Sequence, residues 1–166
     1  GDQNKGWSGA WKINQRARLE EPEEAYRILK SMLTDVSIHP RPEDSQISPS
    51  FEGNQGIQGV TAGITEMLMQ SHSGEISLLP ALPEEWPEGA IEGLRARGGF
   101  TVNISWSNHR LNHAVIHSTL DRPCIVRTKI PVKILSDKRE INFTQMKGNL
   151  IRFNAKAGED YTFVPL

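Results

Sequence analysis

The chain has 166 residues, 37% of them hydrophobic, which is enough for one or two compact cores and too little for a large multidomain enzyme. Its 19 basic and 20 acidic residues nearly cancel, and no basic stripe or cationic amphipathic face is visible, so nucleic acid and membrane surfaces are not expected partners. Cys124 is the single cysteine, which excludes an internal disulfide, a redox pair and a cysteine-rich metal site. A saccharide, another neutral ligand or a protein surface fits this balance better.

Trp7, Ala10, Trp11, Asn14 and Ala17 recur at helical spacing and predict a first helix. Trp7 and Trp11 are four apart and share a face, so core packing is the expected use of the pair and a sugar-stacking platform the other. Glu20-Glu21-Pro22 interrupts the stripe, and Pro22 suits the first turn of a second helix. That helix is predicted from Pro22 to Leu33, with Ala25, Ile28, Leu29 and Met32 on its apolar face. So short a connection predicts antiparallel packing of the two. From Asp35 to Gln58 runs a polar segment with Pro40, Pro42, Pro49, Gly53 and Gly56 and no period, the kind of long loop that is functional or disordered. A third helix is predicted from Gly59 to Gln70, carrying Val60, Ile64, Met67 and Leu68 on one face.

Near residue 75 the texture changes to period two, clearest where Phe100, Val102, Ile104 and Trp106 alternate with Thr101, Asn103 and Ser105. This alternation places Trp106 inward. Ser107-Asn108-His109-Arg110 predicts a hairpin turn into a strand from Leu111 to Ser118. Further strands are predicted over 75–79, 91–96, 124–130, 132–135, 140–143, 150–154 and 161–164, a pattern that suggests an antiparallel sandwich. Pro80 to Pro87 between the halves is proline-rich with buried-type residues, which implies a packed connector. The fold class is therefore α+β, with a helical half over residues 1–75 and a β-domain over 76–166.

Three helices alone cannot close a core. At about 25 cal/mol per Å², an apolar face of a few hundred Å² left wet forgoes several kcal/mol, comparable to a whole domain's margin. The chain is thus expected to be a piece of something larger, or to form a homo-oligomer through the exposed helical face.

Glu52 stands in a glycine-rich stretch ahead of the third helix. A carboxylate there suits a helix entry, where the dipole and unpaired N–H groups favour it, and it equally suits acid–base chemistry. Glycoside hydrolysis requires a second carboxyl across the cleft, and Asp44, in the same loop, has no defined separation from it. The five histidines form no convincing ligand set, so no metal site and no cofactor is expected; His113 and His117 share a strand face with no third ligand. Arg95 and Arg97 are expected to brace a sheet surface or the domain junction, and Gly98-Gly99 to form a turn.

GWSGAWKINQRARL (residues 6 to 19), EGNQG (52 to 56), TAGITEMLMQSHSGEISLLPALPEEWPEG (61 to 89) and LRARGGFTVNISW (94 to 106) form an ordered series. That series resembles the C-terminal portion of glycoside hydrolase family 95, the inverting 1,2-α-L-fucosidases. The resemblance is specific between residues 6 and 118 and fades afterwards. It implies that the first half supplies the closing helices of an (α/α)6 barrel and that the second half is a β-sandwich-like domain bracing it. In that family an aspartate in an Asp-Gly-Asn turn is the general base, and two asparagines help it activate water. The matching turn here reads Glu52-Gly53-Asn54, with glutamate in place of aspartate. The resemblance makes Glu52 the candidate general base, and Trp7, at the barrel mouth, and Asn54 candidate substrate-binding residues; Asn54 holding the turn is the alternative.

No segment here matches the family's general acid or its water-positioning asparagines, so the fragment alone is expected to be inactive. A fucosylated or related oligosaccharide and the missing N-terminal part of the barrel are the implied partners, and the substrates imply a periplasmic or secreted location. GDQNKGWSG is not itself a signal peptide. Gln55 stands where an aromatic is common, and Ile57 and Gln58 look inserted, departures that leave an α-L-galactosidase as the alternative activity. A non-catalytic carbohydrate-binding or structural β-module is the other alternative.

Overall fold

The computed structural model describes residues 6–34 and 53–166, with side chains described for 7–33 and 58–166. It divides into two compact units, Gly1–Met67 and Leu68–Leu166. The helical unit contains α1 (Gly6–Arg18), α2 (Pro22–Thr34) and most of α3 (Gly53–Leu68). α1 ends with a left-handed residue, Glu20 (φ 56°), whose N–H donates to the Ala17 carbonyl while the Glu21 N–H donates to the Arg16 carbonyl. This paired arrangement satisfies the carbonyls that a helix end leaves open and turns the chain directly into Pro22. Glu23 and Glu24 then occupy the first turn of α2, where the helix dipole favours carboxylates.

α2 buries Ala25, Ile28, Leu29 and Met32, the face expected from period. α1 differs from expectation. Its buried residues are Ala10, Ile13 and Ala17, whereas Trp7 and Trp11 are 63% and 55% exposed. The tryptophan pair therefore lies on the flank, and Ile13, absent from the predicted stripe, is the central core residue. Large rings are kept out because α3 comes very close on the other side. A Cβ on Gly59 would stand 2.7 Å from the Ala10 Cβ, and one on Gly63 2.6 Å from the Ile13 Cγ2. Asn14 Nδ2 donates to the Gly59 carbonyl at 2.8 Å, and Arg18 pairs with Glu66 at 2.8 Å. These contacts ascend both helices together, so α1 and α3 run parallel.

α3 begins at Gly53, six residues earlier than the period suggested, and it stops at Leu68, with Met69–Gln70 already a strand. Its Val60 and Met67 are buried as expected, and Ile64 is half-buried.

The β-unit contains β1 (Met69–Gln70), β2 (Ile76–Leu78), β3 (Gly89–Ala96), β4 (Phe100–Ser107), β5 (Arg110–Ser118), β6 (Arg122–Arg127), β7 (Val132–Ser136), β8 (Arg139–Glu140), β9 (Thr144–Met146), β10 (Leu150–Ala155) and β11 (Asp160–Pro165). They form a five-stranded sheet in the order β1-β2-β6-β10-β9 and a six-stranded sheet in the order β3-β4-β5-β11-β7-β8. Pairing is antiparallel except between β2 and β6, which run parallel with Ile76 opposite Val126, so the all-antiparallel expectation fails at that one seam. The strand predicted over 140–143 resolves into two short strands, β8 and β9, with Ile141 to Phe143 between them.

Inward residues alternate along β4, β10 and β11, and the two sheets meet through aromatic contacts. The Phe153 ring of β10 lies 4.7 Å from Tyr161 and 6.0 Å from Phe163 of β11, in the opposite sheet. The β4–β5 turn has positive φ at both central residues, Asn108 (50°) and His109 (59°), the geometry that matches a two-residue hairpin to strand twist. The proline-rich connector is packed: Pro80, Ala81 and Pro83 are buried. Lys129 Nζ donates to the Pro80 carbonyl at 2.9 Å, and the buried Trp106 donates its Nε1–H to the Trp86 carbonyl at 2.9 Å.

Candidate functional site

Glu52 lies outside the described residues, as do Asp44 and His39. In sequence Glu52 immediately precedes α3, which starts at Gly53. Asn54 therefore belongs to the first turn of the helix, in place of a separate turn ahead of it. The N–H groups of that first turn have no intrahelical acceptor, and they carry the positive end of the helix dipole.

Trp7 occupies the first described turn of α1, with Trp11 one turn further along. Both rings are solvent-facing, and neither contributes to the core of the helical unit. Beyond them, Trp11, Lys12, Gln15, Arg16 and Leu19 of α1 and its exit face Glu24, Arg27 and Ile28 of α2 across a surface groove of about 510 Å³. Arg27 forks onto both oxygens of Glu24 at 2.8 and 2.7 Å, and Arg16 pairs with Glu21. The charges lining this groove are thus largely matched, while two of its three apolar residues, Trp11 and Leu19, are exposed.

In the β-unit the residues singled out by sequence have structural partners. Arg95 Nη1 donates to the Thr101 hydroxyl opposite it on β4 at 2.8 Å, bracing the sheet surface as expected. His113 Nδ1 meets the Ser105 hydroxyl at 2.7 Å and His117 Nδ1 meets Asp160 at 2.8 Å, so the two imidazoles engage different neighbours. Among the described residues no group of three or more His, Cys, Asp or Glu side chains could hold a metal ion. Cys124 is buried, and burial pushes its thiol up to about 12, which keeps it protonated and unreactive at neutral pH. Gly98 and Gly99 form the β3–β4 turn at positive φ.

Two features escaped sequence reasoning. Ser71, His72, Glu75, Arg97, Phe100 and Arg122 converge on a cavity of about 260 Å³, although they come from separate stretches of chain. They come from both sheets, the approach to β2 and the start of β6 in one and the β3–β4 turn in the other, so the packing of the sheets brings them together, with the Arg97 N–H donating to the Ser71 hydroxyl at 3.1 Å. The second is the Gly59–Gly63 contact strip, whose signal was present as two glycines one helical turn apart.

Residues 1–68 match the Glycosyl hydrolase family 95 catalytic domain, and residues 70–163 match the Glycoside hydrolase family 95, C-terminal domain. The Alpha-L-fucosidase 2 of Arabidopsis thaliana is 36% identical over 149 residues, which cover 85% of this chain and 17% of that protein. A Probable alpha-fucosidase A of Aspergillus niger is 28% identical over 118 residues, covering 64% of this chain and 15% of that protein. The chain thus spans only about a sixth of the length of these relatives. A solved structure of a family 39 glycoside hydrolase from Bacteroides cellulosilyticus WH2 aligns with 53% of this chain and 18% of its own at 14% identity, with a TM-score of 0.35.

Proposed function

The chain belongs to glycoside hydrolase family 95, and from that premise we propose that it is the C-terminal part of an inverting α-L-fucosidase-like enzyme that supplies the general-base side of the active site. In this reading α1, α2 and α3 are the closing helices of an (α/α)6 barrel. The parallel run of α1 and α3, with α2 between them in sequence, supports it, since alternate helices of such a barrel point the same way. The β-unit is a brace for the barrel.

The single observation that carries the proposal is that Glu52 directly precedes α3 in the sequence of a chain whose first 68 residues match the catalytic domain. Inversion needs one carboxylate to take a proton from water and one acid, roughly 6.5–9.5 Å away, to protonate the departing oxygen. Glu52 takes the first role. A carboxylate ahead of a helix N-terminus stays ionised at neutral pH, which suits it to accept that proton. Trp7 offers an exposed aromatic face to a sugar ring, and Asn54 falls within the first turn of α3, two residues after Glu52 in sequence. The acid comes from polypeptide outside these residues, in a periplasmic or secreted enzyme.

Loss of general-acid assistance costs about 10²–10⁴ in rate. The isolated 166-residue chain is therefore expected to leave 2'-fucosyllactose intact under conditions in which the whole polypeptide hydrolyses it. Turnover by the isolated chain at a rate near that of the whole polypeptide would refute the assignment.

A further inference from the structure

β10 pairs with β6 along its whole length, from Leu150 opposite Arg127 to Ala155 opposite Arg122. Its other edge is paired with β9 over only half that length, ending at Arg152 opposite Thr144. Before Thr144 the chain leaves the ladder through Asn142 and Phe143, and the gap is a notch of about 400 Å³ lined by Asn142, Phe143, Thr144, Arg152, Phe153 and Asn154. That volume is within the ~300–1,000 Å³ range of small-ligand clefts. Ile151, Phe153 and Ala155 of β10 point into the core, so Arg152 and Asn154 stand side by side on the outward face.

We propose that this notch in the β-unit is a saccharide subsite, which takes a sugar residue bearing a carboxylate, such as a uronic acid. Asn142, Thr144 and Asn154 present amides and a hydroxyl that pair as donor and acceptor with vicinal sugar hydroxyls. Phe143, half-buried at the rim, supplies an apolar surface for the C–H face of a pyranose. The choice of an acidic sugar rests on Arg152. No carboxylate lines the notch, and among the described residues the Arg152 side chain is engaged by no other group. Arg127, which also borders β10, is by contrast held by Glu75 and by the Gly148 carbonyl. A planar guanidinium with both prongs available matches a carboxylate bidentately, and the amides beside it fix the ring's orientation.

The test is a titration of the 166-residue chain, followed by amide ¹H–¹⁵N NMR, with methyl β-D-glucuronide, methyl β-D-glucoside and sodium sulfate in parallel. The glucuronide should shift amides at 142–144 and 152–154 and bind about tenfold more tightly than the glucoside, as expected for a charge-assisted pair. Arg152→Gln should erase that preference without disturbing the rest of the spectrum, and Phe143→Ala should weaken both sugars alike. The proposal is overturned if those amides do not move at millimolar glucuronide, if Arg152→Gln leaves the preference in place, or if sulfate alone reproduces the full response.

Discussion

Gly89 sits opposite Trp106 across β3 and β4, and a Cβ there would stand 2.4 Å from the indole Cζ2. The indole cannot withdraw, because its Nε1–H is committed to the Trp86 carbonyl. Gly89→Ala should therefore destabilise the fold by about 1–3 kcal/mol, measured as a lowered denaturant midpoint. Tyr161 is a second fixed point. Its hydroxyl donates to Glu159 and accepts from the Lys156 N–H, both at 2.8 Å, and burial followed by the Glu159 hydrogen bond pushes the phenol up to about 12. Cys124 is raised to about 12 by burial as well. Both groups hold their protons more tightly in the fold than in the unfolded chain, so stability that is fully present below their ordinary values of 9.0 and 10.0 is lost as pH rises toward about 12. Denaturation midpoints recorded from pH 8 upward should fall, and the fall should be shallower in Cys124→Ala and Tyr161→Phe than in the parent chain.

Among the elements, α3 departs furthest from simple propensity. Glycine in a helix interior costs up to about 1 kcal/mol relative to alanine, so Gly59→Ala and Gly63→Ala ought to stabilise an isolated helix. Here each added methyl meets α1 at under 3 Å, and both substitutions should instead lower stability by about 1–3 kcal/mol. Gln58→Ala, on the exposed side, should change it by less than about 0.5 kcal/mol. Thermal or chemical denaturation of the three variants separates the two effects. The same physics explains what the sequence made legible. α2 could be read directly because its core is built from large aliphatic residues at regular spacing. α1 was legible as a helix, with Ala10 and Ala17 on its core face as expected, but Ile13 was missed because the largest apolar residues, Trp7 and Trp11, face outward. Gly53 and Gly56 read as loop residues, yet they lie within α3. Most strands were legible from alternation and turn residues, whereas the parallel β2–β6 seam has no local signature, since register between distant strands is fixed only by the assembled core.

For the whole molecule, the two matched regions belong to relatives much longer than this chain. Residues 1–68 match a catalytic domain and residues 70–163 a C-terminal domain, and the aligned stretch covers 17% of the Arabidopsis relative. The candidate site was legible only through the ordered series of motifs: a lone glutamate ahead of a helix has two uses, and neither period nor charge distinguishes them. The most direct test is steady-state hydrolysis of 2'-fucosyllactose by the whole polypeptide with and without Glu52→Gln. The account predicts a fall in kcat of about 10²–10⁴ with KM little changed and the fold intact, as expected when a general base is removed. A variant that keeps kcat within a few-fold of the parent would contradict it.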